Sequence, residues 1–245
     1  MISITTESEL NIECEDIFNQ LICDECIKIC HVKINNLDAI IQLLVNTIVD
    51  LSWINKLPTH EHKGIKAAAN PTIEYIKNLC TKLNINNSQR SVKKDFGEYA
   101  VSICALKSLT QVYGHEALPL LEILKEKMIG NPGFDYATIK DGALFIFGEA
   151  KYRKDGSGDK IALSQIIDFI SKDKHYIESN NLDKFNLFAA KQCSDNMYGV
   201  SFASNLGKKK RDRRISNIIT DNKLKELARK VQKIYIIYIE NEGFF

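Results

Sequence analysis

The run Phe147-Gly148-Glu149-Ala150-Lys151 carries the side chains with the clearest chemical potential in this chain. Successive side chains of a strand leave on opposite faces, so Glu149 and Lys151 share one face while Ala150 takes the other. A carboxylate and an ammonium closing an apolar strand are costly neighbours for a core. Hydrolysis assisted by a divalent cation accounts for that cost. A hard ion such as Mg²⁺ takes carboxylate and carbonyl oxygens, and a nearby lysine orients or helps deprotonate the attacking water. Asp135, in the preceding strand-like run, supplies a second carboxylate.

Whether Asp135 faces Glu149 depends on the turn between the two runs. A two-residue Asp141-Gly142 turn sets Asp135 opposite Gly148, on the far face. A three-residue Lys140-Asp141-Gly142 turn sets it opposite Phe147, on the same face as Glu149 and diagonal to it. The second form wants glycine at its left-handed last position, where Gly142 stands, and it is the form predicted.

The elements that must position these groups are legible to different degrees. In 245 residues, 44% hydrophobic and 26% charged, globular usage is ordinary. Thirty-three basic against 31 acidic residues leave +2, so any nucleic-acid surface must be local. Only four prolines and twelve glycines punctuate the chain, which favours long elements. Ala39 to Ile54, broken by Gln42, Asn46 and Asp50, reads as a core helix and not a membrane span. His60 and His62 fall in an expected loop, Leu57 to Gly64, and a helix is expected from about Pro71 through Leu79. The polar stretch Asn84 to Lys94 is the best boundary, dividing a 1–90 α+β region from a 91–245 domain. Beyond it, helices are expected over Asp95–Val112, over Leu118–Met128 and from Asp159. Strands are expected over Phe134–Ile139, Ala143–Tyr152 and Lys233–Glu240, with further elements at Phe185–Ala190 and Tyr198–Ala203.

An acidic N-terminus (Glu7, Glu9, Glu13, Glu15, Asp16) does not suit a secretory leader. Seven cysteines, an odd number, suit reduced thiols and a cytoplasmic location. Cys23, Cys26 and Cys30, with Cys14 and His31, offer soft zinc ligands. The same three-and-four spacing also describes one buried helical face, and the residues alone leave both readings open. The absence of G-x-x-x-x-G-K-[ST] implies that this chain binds no nucleotide and that any ATP-driven motor is another polypeptide.

Gly133-Phe134-Asp135, a hairpin and then Glu149-Ala150-Lys151 resemble the signature of the PD-(D/E)XK nuclease superfamily, with Phe134 where the name-giving proline would be. More narrowly, Phe96-Gly97-Glu98-Tyr99, Gly130-Asn131-Pro132-Gly133-Phe134-Asp135 and Phe147-Gly148-Glu149-Ala150-Lys151-Tyr152 are similar to the nuclease subunits of the Hachiman antiphage system. The resemblance covers Ser91 to the C-terminus. It implies a restriction-endonuclease-like α/β core, a mixed sheet flanked by helices in α-β-β-β-α-β order. It also implies Mg²⁺-dependent cleavage of DNA, with Mn²⁺ as a substitute, and a helicase partner. Asp135, Glu149 and the Ala150 carbonyl would hold the metal, and Lys151 would serve the attacking water. Glu98 matches the helical glutamate of many members, although Asp95-x-x-Glu98 also fits a capping box. Gln165 holds a place where some members use a polar residue. For a nuclease, the basic run Lys208, Lys209, Lys210, Arg211, Arg213 and Arg214 would track phosphates without reading bases. The alternatives are a non-catalytic DNA-binding or adaptor subunit with a nuclease fold, and a stand-alone restriction endonuclease.

Overall fold

The computed structural model describes residues 12–15, 26–83, 90–124, 133–142, 144–154, 157–184, 198–206 and 211–241. The elements begin with β1 (Ile12–Glu15), β2 (Ile27–Ile34), α1 (Leu37–Val49), a 3₁₀ turn (Ser52–Lys56), α2 (His62–Leu83) and α3 (Arg90–Tyr113). They continue with β3 (Glu116–Ala117), α4 (Leu121–Leu124), β4 (Tyr136–Lys140), β5 (Leu144–Lys151), α5 (Gly158–Ser171) and α6 (Lys174–Lys184). The last four are β6 (Tyr198–Leu206), α7 (Arg211–Ile219), α8 (Asn222–Ala228) and β7 (Lys233–Asn241).

The chain is a mixed α/β protein. Among the described residues seven strands form one sheet, in the order β1-β2-β7-β6-β5-β4-β3. The inner four, β2, β7, β6 and β5, are parallel, and antiparallel strands close both edges. Parallel strands covered on both faces need apolar residues on both. Strand β7 shows this: Ile234, Ile236 and Tyr238 enter one core while Tyr235, Ile237 and Ile239 enter the other. Helices α1, α2 and α3 cover the second of these faces, and α5, α7 and α8 cover the first. Strand β2 runs beside β7 in register from Ile27 opposite Ile234 to Ile34 opposite Asn241. The 1–90 stretch and the 91–245 stretch thus share one sheet and its cores.

Several expected boundaries move. Helix α2 starts at His62, so Pro71 lies inside it and not in its first turn. The buried stripe of Ala69, Ile73, Ile76 and Leu79 keeps the helix going through the lost hydrogen bond. Residues 84–89 of the expected boundary lie outside the described residues, but Arg90 to Lys94 already belong to α3. Cys30 lies on strand β2, not on a helix, with Cys26 just before the strand. At about 3.3 Å per residue the two stand roughly 13 Å apart, too far to share one ion. Cys23 and the Phe185–Ala190 run lie outside the described residues, and the helix expected over Leu118–Met128 is described only as Leu121–Leu124.

The stretch Leu37–Asn55 is apolar and long enough, by composition, to cross a membrane. Helix α1 proper has 13 residues, about 20 Å at 1.5 Å each against roughly 30 Å of hydrocarbon. Its Ile40, Leu44 and Ile48 are fully buried, and Asn36 caps it by accepting the Ala39 N–H at 3.2 Å.

Candidate functional site

The hairpin places Asp135 more closely than expected. Lys140 pairs with Leu144, so Lys140 belongs to the strand and the turn begins at Asp141. Asp141 and Gly142 both adopt left-handed conformations, with φ of 54° and 69°. Aspartate tolerates that region through local hydrogen bonding, which lets the turn slide by one residue. The register moves by two, so the face is kept. Pairing ends with Tyr136 opposite Gly148, and Asp135, just before the strand, brings its carboxyl into hydrogen-bond contact with that of Glu149. Two hydrogen bonds then pin Asp135 on either side of Glu149: its N–H donates to the Gly148 carbonyl at 2.9 Å, and its Oδ2 accepts the Ala150 N–H at 2.7 Å. The Tyr136 ring lies across Gly148 so closely that a Cβ there would fall inside it, and the phenol is 2.6 Å from Ser201 Oγ.

Glu149 is fully buried, while the Asp135 and Lys151 side chains are 23% and 16% exposed. The Lys151 ammonium bonds Glu149 Oε1 and stands 3.9 Å from Asp135 Oδ2. No N–H or hydroxyl donor reaches Glu149 Oε2 among the described residues, and the Glu149 and Asp135 carboxyls are in hydrogen-bond contact with each other. Burial, then the Asp135 charge, pushes Glu149 well above the ordinary carboxylate range. Burial also raises Asp135, against the pull of Lys151 and the Ala150 N–H. For Lys151 burial works downward, but Glu149 and Asp135 outweigh it and hold the ammonium charged. Glu98 is raised by burial, opposed by Lys151. Asp135 and Glu149 share the one Lys151 ammonium, while Glu98 feels both Lys151 and Lys94.

Glu98 is released from the capping role. Asp95 lies inside α3, five positions beyond Arg90, where no helix start needs a cap. It accepts instead the Tyr75 hydroxyl at 2.7 Å. Glu98 and Asp135 line one end of a cleft of about 210 Å³ that continues past Tyr75, Asp95, Tyr99 and Glu122. The Tyr99 hydroxyl donates to Glu122 Oε2. Sequence reasoning missed this second half. Glu122 stands between buried Leu121 and Ile123, and a lone acid in so apolar a run is the signal that would have found it. Tyr75 and Tyr99 pass in the sequence for ordinary apolar positions.

The basic run is divided. Lys208, Lys209 and Lys210 lie outside the described residues, and Arg211 opens α7. Arg213 is exposed. Arg214 turns inward, with its guanidinium 3.4 Å from Asp159 Oδ1 in a buried pair. Gln165 sits half-buried on α5.

Among the described residues no group of three or more His, Cys, Asp or Glu side chains is gathered closely enough to hold a metal ion. Glu98 is therefore not joined to Asp135 and Glu149 as a third direct carboxylate. A hard cation does not require one, since Mg²⁺ keeps several waters and binds through one or two carboxylates plus substrate oxygens. Asp135, Glu149 and the Ala150 carbonyl are all oxygen donors, and two adjoining buried carboxyls with one ammonium between them are a site a cation would relieve. The donor set fits such an ion. No protein-family model, no curated protein and no solved structure matches this chain.

Proposed function

We propose that this chain is a divalent-metal-dependent nuclease of the PD-(D/E)XK type that hydrolyses phosphodiester bonds in DNA. In this reading it is the nuclease component of a Hachiman-like antiphage defence, acting in the cytoplasm and restrained or fed by a helicase partner. The observation that carries it is the fully buried Glu149 carboxyl in contact with that of Asp135, with the Lys151 ammonium on one of its oxygens. The run α3, β3, β4, β5, α5 and β6 supports a restriction-endonuclease-like core, with α4 and α6 as short additions.

Asp135, Glu149 and the Ala150 carbonyl would hold Mg²⁺ or Mn²⁺, and Glu98 would reach it through water. The bound ion supplies Lewis-acid polarisation and an acidified water. With Glu149 holding a cation, Lys151 would no longer be needed as its counter-charge. Its ammonium is then available to orient the attacking water and to stabilise charge on the phosphoryl oxygens. Arg213 extends a positive edge for phosphates outside the cluster. Freely cutting DNA would poison the host cell, which motivates restraint by the partner.

The test is cleavage of linear, circular and single-stranded DNA in Mg²⁺, Mn²⁺ and EDTA, with and without a helicase partner. Glu149→Gln, Asp135→Asn and Lys151→Met are run beside the wild type. Metal-dependent cutting lost in all three supports the reading, and cutting that survives in EDTA or in the variants overturns it. A non-catalytic DNA-binding adaptor is the second reading, favoured by the ammonium already seated on Glu149. It predicts DNA binding with no cutting under any condition and no Mg²⁺-dependent rise in melting temperature.

A further inference from the structure

Among the described residues, no basic side chain lines the cleft beside the carboxylates. Tyr75 and Leu120 give it apolar walls, and Asp95 and Glu122 give it acceptors. Phosphate does not suit such a lining, while a neutral group that combines a flat ring with N–H or O–H donors does. Each acidic group is already tethered by a phenol, Asp95 by Tyr75 and Glu122 by Tyr99, which leaves acceptor capacity on the carboxyls and fixes both rings. A cavity of about 150 Å³ accepts benzene, so about 210 Å³ accepts a larger heterocycle and excludes a duplex. The cleft is continuous with the reacting centre because Asp135 and Glu98 line it too. An occupant of the cleft would therefore lie beside whatever bond is placed at Asp135.

Resting on the nuclease reading, we infer that the cleft takes one unstacked nucleoside adjoining the scissile phosphate, so that the substrate is single-stranded or frayed at the cut. Tyr75 is the contact open to such a ring, being 36% exposed, whereas Tyr99 is 9% exposed and forms the floor. Aromatic contact of this kind is sequence-tolerant because every base has a π-face. A duplex would have to unpair first, and that cost makes it the poorer substrate.

The full chain is tested in Ca²⁺, which takes the same oxygen donors. The ligand is a single strand of about 12 nucleotides carrying one fluorescent aminopurine, within the range of one binding groove. Its emission is followed as the base is moved along the strand, and affinity is compared with that for the matching duplex. Tighter binding of the single strand and an emission change confined to one position are expected. Tyr75→Leu should bind about tenfold more weakly and Tyr75→Phe within about twofold of wild type, as stacking and not the hydroxyl holds the base. Both variants change a surface-exposed ring, and their melting curves show whether the fold is kept. Equal binding of Tyr75→Leu, or a duplex bound as tightly as the single strand, overturns the inference while leaving metal-dependent cutting intact. Single-strand binding with no cutting in Mg²⁺, either alone or with the helicase partner, overturns the hydrolytic reading and leaves the cleft assignment standing. A chain that binds no nucleic acid overturns both.

Discussion

Glu149 and Asp159 are both carboxylates withdrawn from water, at 0% and 4% exposure, and they sit near opposite ends of the segment joining β5 to α5. Their surroundings differ in balance. Asp159 faces the Arg214 guanidinium at 3.4 Å, the Tyr238 hydroxyl at 3.5 Å and the Lys160 N–H at 2.9 Å. One charge meets one charge, and hydrogen bonds take up the remainder. Glu149 shares a single ammonium with Asp135, and its other neighbour is the Asp135 carboxyl itself. Burial alone therefore does not mark a functional acid, since a closed ion pair is buried as deeply. A residual shortage of positive charge is what the proposed site has and the Asp159 pair lacks.

Substitution separates the two regions most sharply. Glu149→Gln is expected to lower cleavage on the order of 10²–10³-fold while leaving the melting temperature unchanged or higher. The buried charge it removes is one the fold holds at a cost, as its raised protonation shows. A steep fall in stability without loss of cutting would break the comparison. Arg214→Met should do the reverse, costing about 3 kcal/mol in urea unfolding by leaving Asp159 buried and unpaired, with cleavage nearly intact. If activity falls with it, α7 belongs to the reacting site.

Proton and metal linkage sharpens the contrast further. In metal-free buffer the folded chain binds more protons than the unfolded chain wherever a carboxyl is raised. Stability contributed by Glu149 and Asp135 is thus present at low pH and lost as pH rises from about 4 through their raised values. Mg²⁺ competes with those protons, so its stabilising effect grows with pH and reaches about 2.7 kcal/mol at a hundredfold excess over Kd. Calorimetry over a pH series reads both slopes, and their persistence in Glu149→Gln would detach them from this pair. The smallest effect is expected of Gly148→Ala. A methyl group there meets the Tyr136 ring, costing about 2 kcal/mol as the ring is pushed aside, and the Asp135 to Glu149 alignment should loosen with it.

Much of the hairpin was readable because its signals are local. Alternation pairs Glu149 with Lys151, and Asp141-Gly142 announces a turn. Choosing the right face for Asp135 needed only the parity of the register, which survives an error of two. Its pairing with Glu149 needed the actual loop, which Asp141 altered by accepting a left-handed conformation. The start of α2 was misplaced because proline is a local stop signal, and the stripe that overrides it gains its energy only when α2 meets its neighbours.

The carboxylate pair, the lysine beside it and the β-rich C-terminal run follow from the amino-acid order, because strand periodicity and turn chemistry act over a few residues. The joining of β2 to β7, the inward turn of Arg214 and the meeting of Tyr75, Asp95, Tyr99 and Glu122 around one cleft do not. Those contacts link positions far apart in the chain. They are chosen by the burial of whole faces against one another, an energy that exists only once the sheet has been assembled.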